Sequence, residues 1–296
     1  MNLFDHQLLA LRERRTRNKR AAHDFLWQHG ARALQERLLD IKRDFGHVVE
    51  SSCMDAMQKP YVLTDDFLQR KHVADPFYMS LLTRDMHQDE IMPFAPASLD
   101  GLVSLGELQW INDLPGFLAQ TRHALKPDGL FLAAFFGGDT LQELRACLAQ
   151  AEQNLYGGVS PRVSPFITLQ DMAALMQRAQ FALPVVDHDM VTVTYTDLAA
   201  LIRDIRGMGQ NNAIAKRHKA WRSRQFWNEV ESLYRRDFSN AQNRLNVTVE
   251  IIYVLGWSPD ASQPQPLKRG SATHSLSDVL QQHAQNGMSP EKDKAD

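Results

Sequence analysis

Two apolar segments in the middle of the chain, with one amphipathic helix between them, constrain the fold more than any other sequence feature. Residues 130–136 are continuously apolar and residues 99–105 nearly so, which is typical of strands covered on both faces of a parallel sheet. Asp113 and Pro115 suit the start of the intervening helix, and the turn residues 127–129 suit its end. Because the connections are short, this order predicts a βαβ unit in a doubly wound α/β sheet.

The rest of the chain predicts additions on both sides of this unit. Residues 1–44 have helical, amphipathic spacing, whereas residues 258–296 are rich in Pro, Gln, Ser and His, a composition typical of disorder. We therefore predict an N-terminal helical extension over 1–44, an α/β domain over 45–257 and a disordered tail over 258–296. Within the domain, Asp139 is predicted to cap a helix, with Gln142 completing a capping box.

Composition argues against several classes of protein. The 296 residues carry a formal net charge of −2, so the chain has no global attraction to nucleic acid or to an anionic membrane. No apolar run reaches the roughly 18 residues of a membrane-spanning helix. The two cysteines, Cys53 and Cys147, lie in no CxxC or Cys/His cluster, which predicts a reducing compartment: the bacterial cytoplasm, or alternatively the mitochondrial matrix. The basic run over 12–20 is interpreted as a solvated helix face, with a docking patch for an acidic partner as the alternative.

Three motifs in a fixed order resemble those of the class I S-adenosylmethionine-dependent methyltransferases. They are Met92-Pro93-Phe94, the strand-like segment 99–104 and the LKPDG turn at 125–129. Together they correspond to the "LPF", "FD-hydrophobic-S" and "LKPGG" succession of that family. The resemblance implies a Rossmann-like fold with a seven-stranded, mostly parallel sheet whose last strand is antiparallel. It also implies S-adenosylmethionine as the cofactor and a transferase activity.

A closer resemblance extends over nearly the whole folded chain. It is carried by QWINDLP at 109–115, FGGDTL at 136–141, GGVSPRVSPF at 157–166, RGMG at 206–209 and YVLGW at 253–257. These motifs are similar to those of the mitochondrial complex I assembly factors of methyltransferase fold, which are protein-arginine hydroxylases, and of their α-proteobacterial relatives. The malonyl-carrier-protein methyltransferase of biotin synthesis is a more distant resemblance. The closer one implies a protein substrate, a subunit of respiratory complex I.

The expected cofactor loop departs from the class I pattern. These enzymes place glycines after the first strand because the backbone must approach the cofactor closely. Glu50 keeps the acidic start of that loop, but Ser52, Met54 and Ala56 stand at the glycine positions. Asp75 is the candidate for the acid that ends the second strand and binds the ribose, with a surface turn as the alternative. The candidate cofactor-binding residues are Glu50, Ser52, Asp75, Gln88, Asp89 and Ser104.

Candidate substrate or partner residues lie in loops predicted to follow strand ends, where open α/β sheets bind ligands. They are Trp110, Asn112, Asp113, Gly137, Gly138, Asp139, Arg162, Tyr195 and Arg206. Trp110 is equally compatible with a core aromatic residue, and Asp113 and Asp139 with simple helix caps. His188 and His218 are interpreted as solvated or capping residues. The sequence indicates no metal-ligand set and identifies no catalytic residue.

Two hypotheses of different classes follow. The first is an enzyme that methylates or hydroxylates a protein side chain during complex I assembly, with Asp113 or Asp139 recognising a guanidinium group. The alternative is a catalytically inactive assembly or scaffold protein that kept the fold and lost the cofactor loop. Nucleic-acid methylation is not favoured, because the chain has no dominant basic surface.

Overall fold

A single mixed sheet forms the centre of the computed structural model, which describes residues 2–52, 60–79, 90–218, 222–264 and 275. Its strands are β1 (Phe45–Ser52), β2 (Val73–Met79), β3 (Leu99–Leu105), β4 (Leu125–Phe136), β5 (Ala182–Tyr195) and β6 (Leu245–Trp257). The order across the sheet is β2-β1-β3-β4-β6-β5. Strands β1 to β4 pair in parallel, and β6 is antiparallel to both of its neighbours. The predicted mostly parallel sheet with an antiparallel last strand is confirmed, with six strands in the described residues rather than seven.

Eight α-helices accompany the strands within the described residues. They are α1 (His6–Thr16), α2 (Phe25–Asp40), α3 (Asp65–Arg70), α4 (Leu114–Ala124), α5 (Gln142–Tyr156), α6 (Leu169–Arg178), α7 (Leu198–Gly207) and α8 (Arg224–Phe238). Short 3₁₀ helices span Arg17–Ala22 and Leu108–Trp110. None of the helices in these ranges combines the length and the apolarity needed to cross a bilayer.

The predicted βαβ unit is present as β3, α4 and β4. Asp113 caps α4, since its carboxylate accepts a hydrogen bond from the backbone N–H of Gly116 at 2.9 Å. The turn residues expected to end the helix lie instead at the start of β4, which begins at Leu125 directly after α4. There Asp128 takes a positive φ of 58°, and the register with β3 shifts. The turn is therefore an irregularity inside a longer strand.

The direction of strand addition reverses at β1, which lies between β2 and β3. In an open α/β sheet the carboxyl ends of strands at such a switch point border the ligand crevice. The ends of β1 and β3, at Ser52 and Leu105, are hydrogen-bonded neighbours in this sheet. The fold therefore places the expected cofactor position between these two strand ends.

The N-terminal helices pack against the sheet. Trp27 of α2 is 1% exposed, and its ring stacks on Phe136 of β4 with centroids 4.5 Å apart. Met1–Asp260 group together as one compact unit, which contains both the predicted extension and the α/β domain. The unit that follows, Ala261–Asp296, lies almost wholly outside the described residues, as does most of the predicted disordered tail.

Replacing Trp27 with Ala tests how much the α2 contact stabilises the domain. We expect the free energy of unfolding to fall by about 3–5 kcal/mol, because a large buried side chain and its stacking partner lose contact. Leu39→Ala on the same helix is the matched control, since Leu39 is partly exposed, and should cost under about 1 kcal/mol. Urea denaturation measures the free energy of unfolding of both variants. Equal losses would show that the buried face of α2 stabilises the domain no more than its exposed face.

Candidate functional site

Glu50 at the carboxyl end of β1 is completely buried, and its carboxylate binds backbone rather than facing open space. One oxygen accepts the N–H groups of Tyr61 and Val62 at 2.8 and 3.1 Å, and the other accepts that of Leu63 at 2.7 Å. Burial raises the pKa of Glu50 above its ordinary value, although the three amide bonds act in the opposite direction. The residue expected to begin the cofactor loop therefore fixes segment 61–63 against the strand.

The crevice between the ends of β1 and β3 is bridged by a buried contact. Ser51, next to last in β1, donates its hydroxyl hydrogen bond to the carboxylate of Glu107, which follows β3. Both residues are fully buried. The position at which an open α/β sheet binds its ligand thus carries a side-chain bridge in this chain.

The structure corrects the prediction for Asp75. Strand β2 continues to Met79, so Asp75 is the third of its seven residues and does not end it. It pairs across the sheet with His47, three residues before Glu50, and its carboxylate lies 2.7 Å from the Nδ1 atom of His47. At this position along β2, the carboxylate of Asp75 is too far from the carboxyl ends of the strands to bind a ribose there.

The structure describes two of the other predicted cofactor residues, Ser52 and Ser104. Ser52 is buried at the end of β1. Ser104 is buried inside β3, and its hydroxyl has no hydrogen-bond partner among the described residues. Gln88 and Asp89, like Met54 and Ala56, lie outside the described residues. With Glu50 taken by amides and Asp75 displaced, the described residues do not fit S-adenosylmethionine in the class I manner.

The loop after β3 is held by the N-terminal segment. Trp110 is 1% exposed, donates its indole N–H to the side-chain oxygen of Gln210 at 2.9 Å, and meets the ring of Phe4 edge-on. Asn112 accepts the backbone N–H of Phe4 at 2.7 Å. The carboxylate of Glu90 accepts the N–H groups of Asn112 and Asp113 at 2.7 and 2.6 Å. The side chains of Trp110 and Asn112 are therefore engaged in contacts within the protein, and Asn112 holds the N-terminal segment at Phe4.

The loop after β4 is built around Glu250 of β6. The Glu250 carboxylate accepts the N–H of Asp139 at 2.9 Å and lies 2.7 Å from the Nδ1 atom of His188. A Cβ atom at Gly137 would stand 2.5 Å from the same carboxylate, so glycine is required there by close approach. At Gly138 an added Cβ would meet only ordinary contacts. Glu250 is a site residue that the sequence did not reveal.

The capping box predicted at Asp139 is not formed. Helix α5 begins at Gln142, and the residue before it, Leu141, is in the left-handed region with φ of 58° and makes no side-chain cap. The side chain of Asp139 is exposed and has no hydrogen bond or ion pair within the described part of the chain. Asp139 thus presents a carboxylate to solvent just after the carboxyl end of β4.

Arg162 is held by a buried carboxylate instead of projecting freely from its loop. The Nε atom of Arg162 donates to Glu152 at 2.7 Å, and Arg222 donates to the same Glu152 oxygen at 2.6 Å. Ser160 also donates to Glu152, through its backbone N–H at 2.6 Å and through its hydroxyl. Burial alone would raise the pKa of Glu152, but the bonds from Ser160 and Arg162 outweigh burial and hold it below the ordinary value. Both guanidinium groups lie near the ring of Phe226.

Tyr195 ends β5 next to a short chain of polar groups. It is largely buried, and burial together with the hydrogen-bonded carboxylate of Asp204 raises the pKa of its phenol. Asp204 in turn lies 2.7 Å from the Nδ1 atom of His23. Tyr195 therefore stays a neutral hydrogen-bond donor at physiological pH. Arg206, two residues after Asp204, is exposed.

Some of the predicted residues come together, and others do not. Gly138 and Arg162 line one open groove of about 670 Å³. Arg162 and Arg206 line a neighbouring cavity of about 350 Å³, which also includes Arg12 and Arg217. Trp110, Asn112 and Asp113 line neither of these two spaces. Within the described ranges, no three His, Cys, Asp or Glu side chains are grouped closely enough to hold a metal ion.

Comparison with known proteins places these features in a family context. Residues 47–133 match the family model described as "Methyltransferase domain". The chain is 32% identical over 294 residues to the arginine-hydroxylase NDUFAF5, mitochondrial, of Danio rerio, covering 94% of this chain and 90% of that one. The protein of the same name in Dictyostelium discoideum is 33% identical over 289 residues, covering 87% and 65%. A malonyl-[acyl-carrier protein] O-methyltransferase of Xylella fastidiosa is 37% identical over 209 residues, covering 71% and 66%.

Replacing Glu152 with Gln tests the two-arginine cluster. We expect a loss of about 3 kcal/mol in the free energy of unfolding, because two largely buried guanidinium groups lose their shared counter-charge. Glu231→Gln is the matched control, since its pair with Arg235 at 2.7 Å is an exposed i,i+4 contact, and should cost under about 0.5 kcal/mol.

The effect of Glu152 should also depend on pH in a defined direction. Its pKa is lower in the folded chain than the ordinary value of 4.5, so its contribution is complete above that value and is lost as the pH falls towards the folded pKa. The stability difference between the native chain and Glu152→Gln should therefore be constant near neutrality and narrow below pH 4.5. A difference that widens in acid would contradict this assignment.

Proposed function

The chain belongs to the family of the mitochondrial arginine hydroxylases NDUFAF5, and on that premise we propose that it modifies an arginine side chain of a protein partner during assembly of respiratory complex I. The modification proposed is hydroxylation, as the name of these relatives describes; inserting one oxygen atom into a C–H bond consumes dioxygen and two electrons from a reducing co-substrate. Asp139 carries the proposal, because its carboxylate is exposed, has no partner among the described residues and stands at the strand edge where this class of sheet binds ligands.

Asp139 has the chemistry that recognition of arginine requires. A carboxylate binds a guanidinium through charge-assisted, often bidentate, hydrogen bonds. The Glu250 carboxylate fixes the backbone N–H of Asp139, so the position of the loop is set while the side chain stays available. Asp113, the other acid considered for this role, is engaged in capping α4. Gly138, next to Asp139, lines the open groove of about 670 Å³, whose lining includes Arg145 and Arg162, so the negative charge for a guanidinium comes from Asp139 and not from the groove.

The cofactor edge supports a chemistry other than S-adenosylmethionine-dependent methyl transfer. Glu50 is bound to three backbone amides, and the Ser51–Glu107 contact bridges the ends of β1 and β3. These contacts also favour the second candidate function, an assembly protein of methyltransferase fold that binds its partner without catalysis. Both candidates require a protein partner, and they differ in whether that partner is chemically changed.

The proposed role also bears on location. Complex I assembly takes place beside the mitochondrial inner membrane or its bacterial counterpart, so we propose the mitochondrial matrix or the bacterial cytoplasm. The relatives whose names include "mitochondrial" favour the matrix over a general cytoplasmic role.

Calorimetric titration with S-adenosylmethionine and S-adenosylhomocysteine tests the cofactor part of the proposal. We expect no binding up to millimolar ligand, because the described acidic side chains that were predicted to bind the cofactor are hydrogen-bonded within the protein. The malonyl-[acyl-carrier protein] O-methyltransferase relative, titrated in parallel, is the positive control. Micromolar binding by the native chain would reinstate the methyltransferase function.

Mass spectrometry of complex I subunits tests the modification itself. In a strain that lacks this chain, the native gene should restore both complex assembly and an arginine that has gained one oxygen atom. Asp139→Asn should reduce that modification at least about tenfold, because the charge-assisted bonds to the guanidinium are weakened. Asp66→Asn, which changes an exposed acid on α3, is the matched control and should leave it unchanged.

Each result of the strain experiment separates the candidates. Restored assembly with an unmodified arginine would select the scaffold. A gain of one methylene instead of one oxygen would select methyl transfer. Full modification of the arginine in the strain that carries Asp139→Asn would show that Asp139 does not recognise the substrate.

A further inference from the structure

The cavity of about 350 Å³ described above is lined by one polar, cationic side and one apolar side. It lies among α1, α5, α7, α8 and the loops over 161–166 and 210–218, within the compact unit Met1–Asp260. Its volume is at the lower end of the range of small-molecule sites. Asp139 does not line it, so the cavity is a feature separate from the proposed arginine site.

The cationic side of the cavity carries an excess of positive charge. Arg12, Arg162, Arg206 and Arg217 line it together with His218, and none of the described lining residues is Asp or Glu. Within the described part of the chain, two carboxylates reach these groups from outside the lining: Glu152 holds Arg162 but also Arg222, and Asp5 lies 3.4 Å from Arg217. Arg206 has no ion pair with any described residue. The guanidinium groups therefore outnumber their counter-charges.

Arg12 shows the electrostatic consequence of this excess. Its guanidinium donates to the backbone carbonyl groups of Asn211 and Asn212 at 2.6 and 3.0 Å. These acceptors are neutral, so they do not balance its positive charge. Burial, and after it the charge of Arg217, lowers the pKa of Arg12 to about 10, and Asp5 opposes this only in part. An anion bound between Arg12 and Arg217 would raise the pKa of Arg12 again, because a nearby negative charge favours the charged guanidinium.

A buried hydroxyl on the same lining has no partner. Ser164 is 3% exposed, and its Oγ atom makes no hydrogen bond among the described residues. Buried polar groups are nearly always hydrogen-bonded, because leaving one unpaired is costly. Ser164 belongs to the cavity lining beside Arg162, but its Oγ atom has almost no accessible surface, so the hydroxyl lies behind the cavity wall.

The opposite side of the cavity is apolar. It is formed by Leu144 and Leu148 of α5, Ile202 and Ile205 of α7, and Trp227 of α8. A hydrocarbon body would bury these side chains further, while the arginine side would hold an anionic group. The two sides together define a ligand with one anionic end and one apolar end.

We propose that this cavity is a binding site for a small amphipathic anion, with a carboxylate or phosphate head group at the arginines and an aliphatic body against the apolar side chains of α5 and α7. The site stands on the cavity's own lining and does not rest on the proposed arginine modification. Carboxylate and phosphate share the geometry that guanidinium groups bind in a bidentate manner, so the choice between them is left to measurement.

Binding of three matched probes to the full chain tests the site. Octanoate and octyl phosphate carry the two head groups on the same hydrocarbon chain, and 1-octanol is the neutral control. We expect calorimetry to detect at least one anionic probe, with 1-octanol binding at least about tenfold more weakly because it lacks a charge-assisted contact. The anionic probe that binds more tightly identifies the head group.

Three variants assign the binding to this cavity. Arg206→Gln should weaken the anionic probe about tenfold and leave 1-octanol unchanged, and Arg206→Lys should retain part of the affinity. Arg206 is exposed, so its loss should not unfold the chain. Arg203→Gln, also on α7 but outside the cavity lining, is the matched control and should have no effect.

Several outcomes would overturn the proposal. Equal binding of all three probes would show a hydrophobic surface without an anion site. An equal loss from Arg203→Gln and Arg206→Gln would show a general charge effect. Failure of both anionic probes to bind at millimolar concentration would remove the site. None of these outcomes bears on the oxygen content of the partner's arginine, so the two proposals fail independently.

Discussion

The hydrogen bond between the Glu250 carboxylate and the backbone N–H of Asp139 fixes the part of the molecule on which the candidate site depends. It joins the antiparallel strand β6 to the loop that follows β4, and a Cβ atom at residue 137 would displace the Glu250 carboxylate. The same carboxylate lies 2.7 Å from the Nδ1 atom of His188 on β5. Backbone hydrogen bonds from Gly137 to Glu250 and from Leu141 to Thr248 fix the same loop on β6, so the carboxylate completes a set of contacts that positions Asp139 relative to the sheet.

Buried carboxylates serve the same purpose at three other positions. Glu50 binds the N–H groups of residues 61–63, Glu90 those of 112–113 and Glu152 that of Ser160. Each one satisfies backbone donors of a loop. A carboxylate has two oxygen atoms and several lone pairs, so it can hold two or three consecutive amides at once. These loops are therefore positioned by acids that lie 8 to 23 residues away along the chain.

This mechanism explains what the sequence predicted and what it did not. The βαβ unit and the cap at Asp113 depend on local periodicity and on residues three apart, which a single sequence displays. The antiparallel last strand was expected only because the family resemblance implies it. Asp75 was wrongly predicted to end β2, because the length of β2 is set by its pairing with β1. Asp139 was wrongly predicted to cap α5, since the backbone of Asp139 is bound by Glu250, a residue 111 positions away. Glu152 and Glu250 were missed because an acid in an apolar pattern gives no sign of the partner it will meet. The family resemblance indicated which loops carry the family motifs, but the contacts of those loops are known only from the folded structure.

The buried carboxylate of Glu50 has a consequence for how this chain can change over time. The residues that distinguish it from a methyltransferase loop are the non-glycines at 52, 54 and 56, and point mutations could restore glycine at each. Such reversions would leave the carboxylate bound to segment 61–63, and the bridge from Ser51 to Glu107 would also remain. Glycines at these three positions would therefore not by themselves open a cofactor site of the class I kind, because the contacts of Glu50 and Glu107 lie outside the loop.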